Sequence, residues 1–579
     1  MTADLGTATR REVAFAATAP ARAHRLTWAQ QHLLLLIDEL APMTETLNVR
    51  FRVDLRPGLS TDQVLTALRR LVETFEALRS VVVRPPGGDA RLEVAACGNL
   101  PVDVVDASQD GEAPALADRA VHALGSRPFD LTGELPVRAV LVTAGGAPRH
   151  LAMALSHLAV DHTGATWALG YLRAALARPG AVAREPDSSF QPADEVAWED
   201  APEGHRHGER ALAQQEATFR AMPQTMLPRA LDHAEAEGAE AEGAAEGPAA
   251  GRYRYLQLDS VALALASQVL AVRHAVSPTA VLHAGLCAVV GSVSRLDRAC
   301  LQLTVGNRVA RNRLAVGMHT LDVPAAVDLA DADVAELVAR SGRAVPQAVR
   351  FGQYPPLERL ALRRAVERER GVHLDLTCWL NDRRVRGRTP PAAAQPDAAT
   401  LAAAARDTAW RWVEGSPNST SSFFVFADDA GRALRLTMIV DSWLVPPDEA
   451  VAWLRGLERL LVAATAREVA LPDVPEVAGI VPRDPGPGWV LTDHSWAHLP
   501  TTAELVRAVA GVPRVDVAVE PTPDGDRLVA RVDPGDRPPP DPARLAAAVV
   551  AALPGVRTAV APHRYVVRRG PAVGEAQSP

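Results

Sequence analysis

A histidine and a carboxylate four residues apart form the most informative polar group in this chain. In LAMALSHLAVDHTGATWAL, an apolar run ends at Ser156 and His157, and Asp161 precedes a turn and a helical segment. A histidine in a loop just past a strand lies at the edge of a sheet, where catalytic groups are common. Imidazole is also the natural general base near neutral pH. The pattern predicts His157 as a proton acceptor and Asp161 as a residue that orients the loop or pairs with an arginine, although a structural histidine and a turn aspartate fit the same spacing.

The composition excludes several other kinds of chemistry. All 61 basic residues are arginine, so a Schiff base, a P-loop lysine and a lysine general base are ruled out. The net charge of −8 gives no overall field that would attract nucleic acid or a membrane surface, and no apolar stretch reaches the length of a membrane span. The four cysteines form no CxxC pair. We therefore expect a reduced, cytoplasmic protein with no metal and no nucleic-acid or membrane partner.

The elements that must position these side chains alternate between strands and helices. Thr27 is a candidate N-cap for the helix in LTWAQQHLLLLIDEL, and Ser60 and Gln63 have the spacing of a capping box. The segments VRFRVDL, VRAVLVT and HLAMALS read as strands, and the last of them leads directly to His157. The second half of the chain repeats this mixture, with strands in LQLTVGN, VHLDLTCWLN, SSFFVFAD and LRLTMIVDS. The pattern predicts an α/β (α+β) fold with two lobes of similar content.

Composition breaks divide the chain into six predicted segments. The acidic Ala/Gly-rich run HAEAEGAEAEGAAEGPAAG contains no large apolar residue, so we expect it to be a mobile linker that catalysis does not require. A Pro-rich stretch separates the second lobe from a short C-terminal unit in which VDVAVEP and RLVARVDP should form a hairpin. The predicted segments are a disordered tail (1–24), a first lobe (25–232), the acidic linker (233–251), a second lobe (252–466), a Pro-rich linker (467–488) and a small α/β module with a disordered end (489–579).

Five segments resemble motifs of one enzyme superfamily, in the same order. SHLAVDHTG resembles the HHxxxDG motif of the condensation domains of nonribosomal peptide synthetases and of chloramphenicol acetyltransferase. The other matching segments are LTWAQQ (the opening LTxxQ), FEALRS (HExLRT), SPTAVLHAGLCAVV (the helix that opens the second lobe) and TVGNRVARNRLAVGMHTLDVP (the GR and VGxFxNxLP elements). The resemblance covers roughly residues 25 to 465, and it depends on the order and spacing of the motifs.

The resemblance implies a fold, a reaction and roles for three residues. The fold is two chloramphenicol-acetyltransferase-like lobes in a V, with a tunnel between them and the histidine midway along it. The reaction is that of a free-standing condensation enzyme, which joins an acyl or aminoacyl thioester on carrier-protein phosphopantetheine to an amine or alcohol. No cofactor is bound, because the substrate arrives activated. His157 matches the functional histidine, Asp161 the structural aspartate, and Arg79 the arginine expected to pair with it.

Departures from the motif leave two further functions open. Ser156 replaces the first histidine, and His162 replaces a glycine whose amide can face an oxyanion. Together with Gly164, these are the candidate oxyanion or motif positions. An acyltransferase that takes acyl-CoA directly is one alternative. A catalytically silent recruitment domain that binds carrier proteins or tailoring enzymes is the other, and both departures favour it.

Four more residues and the C-terminal module complete the hypothesis. Arg308 and Arg311 are candidate contacts for phosphopantetheine or an acidic carrier helix, although solvated surface arginines fit equally. Trp379 and Asn381 are candidates for the acceptor side, although a core tryptophan fits the same pattern. The C-terminal module weakly resembles the small subdomain of adenylate-forming enzymes. Its catalytic lysine is absent here, so we expect a docking module without ATP chemistry.

Overall fold

The computed structural model of the chain describes residues 8–177, 190–228, 251–384, 396–416, 419–522, 525–569 and 572–577. Apart from Gly251, the predicted acidic linker lies outside these residues. The chain forms two units. Unit 1 comprises Met1–Arg210, Gly306–Leu321 and Gly352–Leu357, and unit 2 comprises Ala211–Val305, Asp322–Phe351 and Glu358–Pro579.

Strands and helices alternate in both units, as predicted. Unit 1 contains the strands β1 (Ala8–Ala16), β2 (Arg22–Arg25), β3 (Val49–Asp54), β4 (Ser80–Val83), β5 (Arg91–Val94), β6 (Cys97–Ala107), β7 (Val137–Ala144) and β8 (Ala147–Leu155). Its helices are α1 (Trp28–Leu40), α2 (Thr61–Thr74), α3 (Ala113–Gly125), α4 (His162–Ala177), α5 (Pro192–Glu199) and the start of α6 (Pro202–Ala221). The predicted cap at Thr27 and the predicted capping box of Ser60 with Gln63 are confirmed.

Unit 2 contains the remaining elements. Its strands are β9 (Tyr253–Ser260), β10 (Arg298–Val305), β11 (Leu321–Asp328), β12 (Cys378–Asp382), β13 (Ala409–Ser416), β14 (Phe423–Ala430), β15 (Ala433–Asp441), β16 (Trp489–Thr492), β17 (Ser495–His498), β18 (Arg514–Thr522), β19 (Gly525–Asp533), β20 (Arg564–Arg569) and β21 (Ala572–Gln577). Its helices are α7 (Val261–His274), α8 (Pro278–Val293), α9 (Val334–Arg350), α10 (Pro356–Arg370), α11 (Ala398–Arg406), α12 (Pro447–Ala466), α13 (Val474–Ala478), α14 (Leu499–Ala510) and α15 (Pro542–Ala552).

The strand that leads to His157, β8, is buried at each of its last five residues. The main sheet has the order β1-β6-β7-β8-β3, and a second sheet has the order β2-β5-β4. A two-residue turn joins β7 to β8, and its residues Gly145 and Gly146 have φ values of 57° and 76°, which glycine adopts without strain. Leu151, Met153 and Leu155 contribute to one hydrophobic cluster, whereas alternate alanines of β8 contribute to another. Burial on both faces fixes the register of β8 and hence the position of the loop after it.

The prediction of a disordered N-terminal tail is wrong for the described residues 8–24. Strand β1 pairs antiparallel with β6 along its whole length, and β2 pairs with β5. Val13 and Phe15 are buried in the main cluster of unit 1. The run REVAFA alternates charged or small residues with large apolar ones, which is the period of a half-buried strand.

The main sheet of unit 2 has seven strands, in the order β11-β10-β12-β14-β15-β9-β13. One face carries Phe423, whose ring contacts Trp453 of α12, and Val425, which is fully buried. Among the described residues, no single helix is long and apolar enough to cross a membrane. The bent pair α7 and α8 reaches that length and composition when the two helices are taken together.

Residues 467–488 are not the free linker that their proline content predicts. They include the short helix α13, in which Val474 and Ala478 are fully buried, and Ala470 forms a bridge with Asp333. Pro472 and Pro475 lie in the first turns of two short helices, a position for which their fixed φ is suited. The segment is therefore part of the packed unit 2.

The C-terminal module also belongs to unit 2. The predicted hairpin of β18 and β19 is confirmed, but the expected disordered end is wrong for Ala572–Gln577, which pair with β20. Ala497, Leu528 and Val560 share a hydrophobic cluster with Phe219 and other residues from outside the module. The module therefore packs against other parts of unit 2, and it also has a hydrophobic cluster of its own that includes Val517, Val549 and Tyr565.

Candidate active site

His157 lies in a tight loop between β8 and α4. The carbonyl oxygen of Ser156 accepts the amide of Ala159 at 3.0 Å, which turns the chain sharply after the buried strand. The half-buried imidazole of His157 places Nδ1 2.9 Å from the carbonyl oxygen of Val160. A carbonyl can only accept a hydrogen bond, so in the neutral ring Nδ1 carries the proton. The lone pair is then on Nε2, as a general base requires.

Asp161 is the N-cap of α4. Its Oδ1 accepts the amide of Gly164 at 2.6 Å, and its carbonyl accepts the amide of Ala165 at 2.8 Å. A side-chain cap of this kind satisfies an amide that the first turn of a helix leaves unpaired. A Cβ on Gly164 would lie 2.6 Å from the carbonyl oxygen of Gly317, so glycine is required at this position.

The same carboxylate anchors the segment 306–321. Asp161 Oδ1 accepts from Arg308 Nη2 at 2.6 Å, and Oδ2 accepts from the His319 amide at 3.1 Å and from Thr320 Oγ1 at 3.3 Å. Asp161 is only 2% exposed. Burial alone would raise the pKa of this carboxyl, but the Arg308 guanidinium and the hydrogen bonds lower it below its ordinary value. Asp161 is therefore ionised at neutral pH and fixes the backbone next to Val160, which orients His157.

A second buried carboxylate supports the 306–321 segment from α5. Glu195 accepts from Arg311 Nη2 at 2.9 Å, from Gln353 Nε2 at 2.6 Å and from Asn312 Nδ2 at 3.0 Å. Burial opposes its ionisation, but the Arg311 guanidinium and the hydrogen bonds from Arg311 and Gln353 lower the pKa of Glu195 below the usual value. Burial and then Arg308 lower the pKa of His319 to about 4, so this imidazole is neutral at physiological pH.

The expected ion pair between Asp161 and Arg79 is wrong. Arg79, which is 2% exposed, donates to the carbonyl oxygen of Ala95 at 2.7 Å, and its Nη2 lies 3.7 Å from Glu76 Oε1. It therefore stabilises the junction between the 3₁₀ turn Glu76–Arg79 and β5. Arg308 is the partner of Asp161 instead.

Arg308 and Arg311 both make contacts within unit 1. Arg308 binds Asp161 and the carbonyl oxygens of the loop that follows it, at 2.8 Å for Ala315. Arg311 pairs with Glu195, and its guanidinium carbon lies 3.7 Å from the centroid of the Trp198 ring. These contacts hold both guanidinium groups within unit 1, and the contact of either one with phosphopantetheine or an acidic carrier helix stays a prediction.

The three motif positions, Ser156, His162 and Gly164, differ in their exposure and in their contacts. Ser156 is buried and lines a small open pocket with mostly apolar walls, which include Leu158 and Phe129. His162 is exposed at the first position of α4, and its φ is not in the left-handed region, so replacement of the motif glycine causes no backbone strain. The amide of Gly164 is taken by Asp161, so Gly164 is not a candidate oxyanion donor.

Trp379 and Asn381 belong to unit 2, on β12. Their side chains lie on the face of the seven-stranded sheet opposite that of Cys378 and Leu380, which are buried. Trp379 stacks on Phe424, with ring centroids 5.6 Å apart.

Sequence patterns did not predict roles for Glu195, Asn312 or Gly317. The available signal was that Glu195 and Glu199 are four residues apart, which puts both on one face of α5. Nothing local indicates that this face is buried or that its partners are more than 100 residues away. Among the described residues, no group of three or more His, Cys, Asp or Glu side chains is arranged to hold a metal ion.

Comparison with known proteins identifies the family. A model of the condensation domain matches residues 21–377, a range that includes His157, Asp161 and Arg308. The chain belongs to the condensation-domain family. The mixed α/β fold with several sheets agrees with this assignment, and membership supports condensation-type acyl transfer.

Solved structures with the same fold come from several biosynthetic systems. The first condensation domain of the calcium-dependent antibiotic synthetase matches with a TM-score of 0.54 and 16% identity, covering 78% of this chain and 97% of that domain. The X-domain from teicoplanin biosynthesis matches with a TM-score of 0.57 and 18% identity, covering 79% and 98%. The condensation domain for chain release from the enacyloxin polyketide synthase matches with a TM-score of 0.54 and 17% identity, covering 80% and 84%.

One curated relative matches over a shorter region. A probable non-canonical nonribosomal peptide synthetase, CymA of Salinispora arenicola, is 34% identical over 137 residues. This region is 24% of the present chain and 2% of that synthetase. The activity of the whole synthetase therefore does not transfer to this chain.

Proposed function

We propose that the chain transfers an acyl or aminoacyl group from a carrier-protein thioester to an amine, or to an alcohol, in natural-product biosynthesis. The proposal rests on the hydrogen bond that the imidazole of His157 makes through Nδ1. Its Nδ1–H is fixed on the Val160 carbonyl at 2.9 Å, which leaves the lone pair of Nε2 free of the proton in the neutral ring. The loop that holds it is fixed by Asp161 and Arg308, a pair with 3% and 10% side-chain exposure.

The proposed reaction needs one proton acceptor and no covalent enzyme intermediate. The amine nitrogen attacks the thioester carbonyl carbon, a C–N bond forms, and the tetrahedral adduct carries charge on oxygen. Nε2 of His157 takes a proton from the nitrogen, and as the C–S bond breaks the imidazolium gives that proton to the departing thiolate of phosphopantetheine. General-base catalysis of this kind typically accelerates a reaction about 10²–10⁴-fold.

A catalytically silent recruitment domain is the second candidate. Ser156 and His162 stand where the motif has histidine and glycine, and this favours the second candidate. The X-domain of teicoplanin biosynthesis, which has the same fold, forms a complex with OxyB. By analogy, this chain would bind a carrier protein or a tailoring enzyme without transferring a group.

Donor assays distinguish these functions. The full chain is mixed with a primary amine and either an acyl-loaded carrier protein or the matching acyl-CoA, and amide product is measured by mass spectrometry. Product from the carrier thioester at a rate well above that from acyl-CoA supports the proposal, and the reverse order supports an acyl-CoA acyltransferase. Binding of the loaded carrier without product, across a panel of acyl groups and amines, contradicts the proposal and supports recruitment.

A further inference from the structure

One side chain of helix α1 holds the middle of the His157 turn, which comprises residues 156–161. Gln30 donates from Nε2 to the carbonyl oxygen of Leu158 at 3.3 Å. In the part of the chain that the structure describes, no other hydrogen bond joins residues 157–160 to a different element. Their remaining hydrogen bonds lie within the turn itself, so its middle depends on Gln30 for a polar contact with the rest of unit 1.

The two ends of the His157 turn are fixed without Gln30. Ser156 follows the buried strand β8 and donates its amide to the carbonyl oxygen of Pro136 at 3.0 Å. Asp161 donates its amide to the carbonyl oxygen of Gly317 at 3.2 Å. The hydroxyl of Ser156, which stands where the motif has its first histidine, makes no hydrogen bond with the described residues. The peptide bonds between these two ends therefore have one polar tether, the side-chain amide of Gln30.

The cap of α1 sets the orientation of the Gln30 amide. Its Oε1 accepts from the Thr27 amide at 3.1 Å, and the backbone amide of Gln30 donates to Thr27 Oγ1 at 3.2 Å. Gln30 is only 2% exposed. Because the cap occupies the oxygen end of this buried amide, its Nε2 end is directed at the His157 turn. The capping box thus presents a donor to the turn as well as starting the helix.

A small open pocket beside the turn gives the Leu158 peptide room to move. Gln30, Ser156 and Leu158 all line this pocket. Leu158 is 4% exposed, so without Gln30 its carbonyl would be a buried acceptor with no partner, which is unfavourable. Rotation of the peptide toward the pocket would bring the carbonyl to water. The same rotation would turn the neighbouring His157 away from the Val160 carbonyl.

We propose that Gln30 is a positioning residue for His157. Its amide fixes the peptide next to the imidazole and so keeps Nδ1 of His157 on the Val160 carbonyl at 2.9 Å, with the lone pair on Nε2. The statement that this raises the rate of acyl transfer rests on the function proposed above. The effect on the tautomer of His157 does not depend on that function.

The first test compares Gln30→Met with Gln63→Met in single-turnover transfer from an acyl-loaded carrier protein to an amine. Gln63 forms the same capping box with Ser60 at the start of α2, with bonds of 2.9 Å and 3.2 Å, and it is exposed. Its replacement therefore removes a cap without touching the His157 turn. Gln30→Met should lower the rate constant at saturating amine by about threefold to tenfold, with the amine concentration for half-maximal rate unchanged.

Gln63→Met should react at the wild-type rate. Thermal melts first verify that each variant is folded. A wild-type rate for Gln30→Met, or the same loss in Gln63→Met, would overturn the proposal.

A second readout requires no activity. The full-length chain is labelled with ¹⁵N-histidine, and the signals of His157 among the 16 histidines are identified by their loss in His157→Ala. The wild type should carry the proton on Nδ1. Gln30→Met should move part of the population to the Nε2–H tautomer, whereas Gln63→Met should not. An unchanged tautomer in Gln30→Met would contradict the positioning role.

Gln30→Glu is a second variant that keeps an acceptor for the Thr27 amide. A carboxylate can only accept, so only the protonated side chain can donate to the Leu158 carbonyl. The rate of Gln30→Glu relative to that of the wild type at the same pH should therefore rise as the pH falls, and that of Gln30→Met should not. A ratio for Gln30→Glu that stays constant with pH would count against the proposal.

Two results separate this inference from the proposed function. Absence of transfer by the wild type from any donor, together with the tautomer change in Gln30→Met, supports the positioning role and contradicts the function. Transfer by the wild type, with the same rate and the same tautomer in Gln30→Met, supports the function and overturns the positioning role.

Discussion

Replacement of Asp161 by asparagine should strongly destabilise unit 1. The carboxylate accepts four hydrogen bonds, from Gly164, Arg308, His319 and Thr320, and one of the donors is a guanidinium that is itself 10% exposed. Asparagine keeps the shape but has one oxygen and no charge, so the arginine remains buried without a counter-charge. Breaking a buried pair by removing one partner costs about 3–5 kcal/mol.

The measurement is urea unfolding of the wild type and of Asp161→Asn, Arg308→Leu and the double variant. Each single variant should lose about 3–5 kcal/mol, and the double variant should lose clearly less than their sum, because the charge left unpaired by one change is removed by the other. Asp38→Asn is a control, since Asp38 and its partner Arg84 are both 51% exposed and an exposed pair is worth about 0–1 kcal/mol. Additive losses, or an Asp161→Asn chain as stable as the wild type, would refute the role given to Asp161.

Three further predictions follow from individual contacts. Gly164→Ala should cost about 1–3 kcal/mol, because the new Cβ meets the backbone of Gly317, whereas Gly170→Ala on the same helix has open space and should stabilise by up to about 1 kcal/mol; thermal melts of both variants decide this. The folded-state pKa of His319 is about 4, below its ordinary 6.5, so the unfolded state binds more protons between these values. Stability should therefore fall by about 3 kcal/mol as the pH drops from about 6.5 to about 4, and His319→Asn should reduce this dependence in urea titrations at several pH values. Arg557→Leu should cost up to about 3–5 kcal/mol, because Arg557 pairs with the buried Asp375, and a melting temperature equal to that of the wild type would contradict the integration of the C-terminal module.

Local signals in the sequence predicted the local parts of the site. The alternation of β8, the caps at Thr27 and Ser60, and the strand–loop–helix context of His157 depend on neighbours within a few residues. The motif order then identified the family from residues that are individually weak evidence. These predictions are confirmed because the periodicity of a strand or helix and the spacing of a cap depend only on residues that are close in sequence.

Long-range pairing could not be predicted in the same way. Arg79 and Arg308 both lie in segments that resemble motifs of the family. Nothing in the sequence near either residue indicates which one pairs with Asp161. The fold decides which arginine reaches Asp161. Arg79 lies beside Glu76, whereas Arg308 follows a turn at Asn307, where φ is 48°. The same limit explains the wrong predictions for the tail and the Pro-rich linker, since short or proline-rich segments are ordered here by packing and not by propensity.

The most direct test of the account is the single-turnover rate of acyl transfer by a His157→Ala chain. The full chain is mixed in excess with a carrier protein loaded with acetyl, phenylacetyl or phenylalanyl groups and with a panel of primary amines, and amide product is followed by mass spectrometry. His150→Ala is the matched control, because His150 lies on the same strand and pairs with Asp54 at 2.8 Å, away from the loop. The account predicts a rate about 10²–10⁴ lower for folded His157→Ala and a rate near that of the wild type for His150→Ala. Equal rates for the wild type and His157→Ala would contradict the assignment of His157 as the proton acceptor.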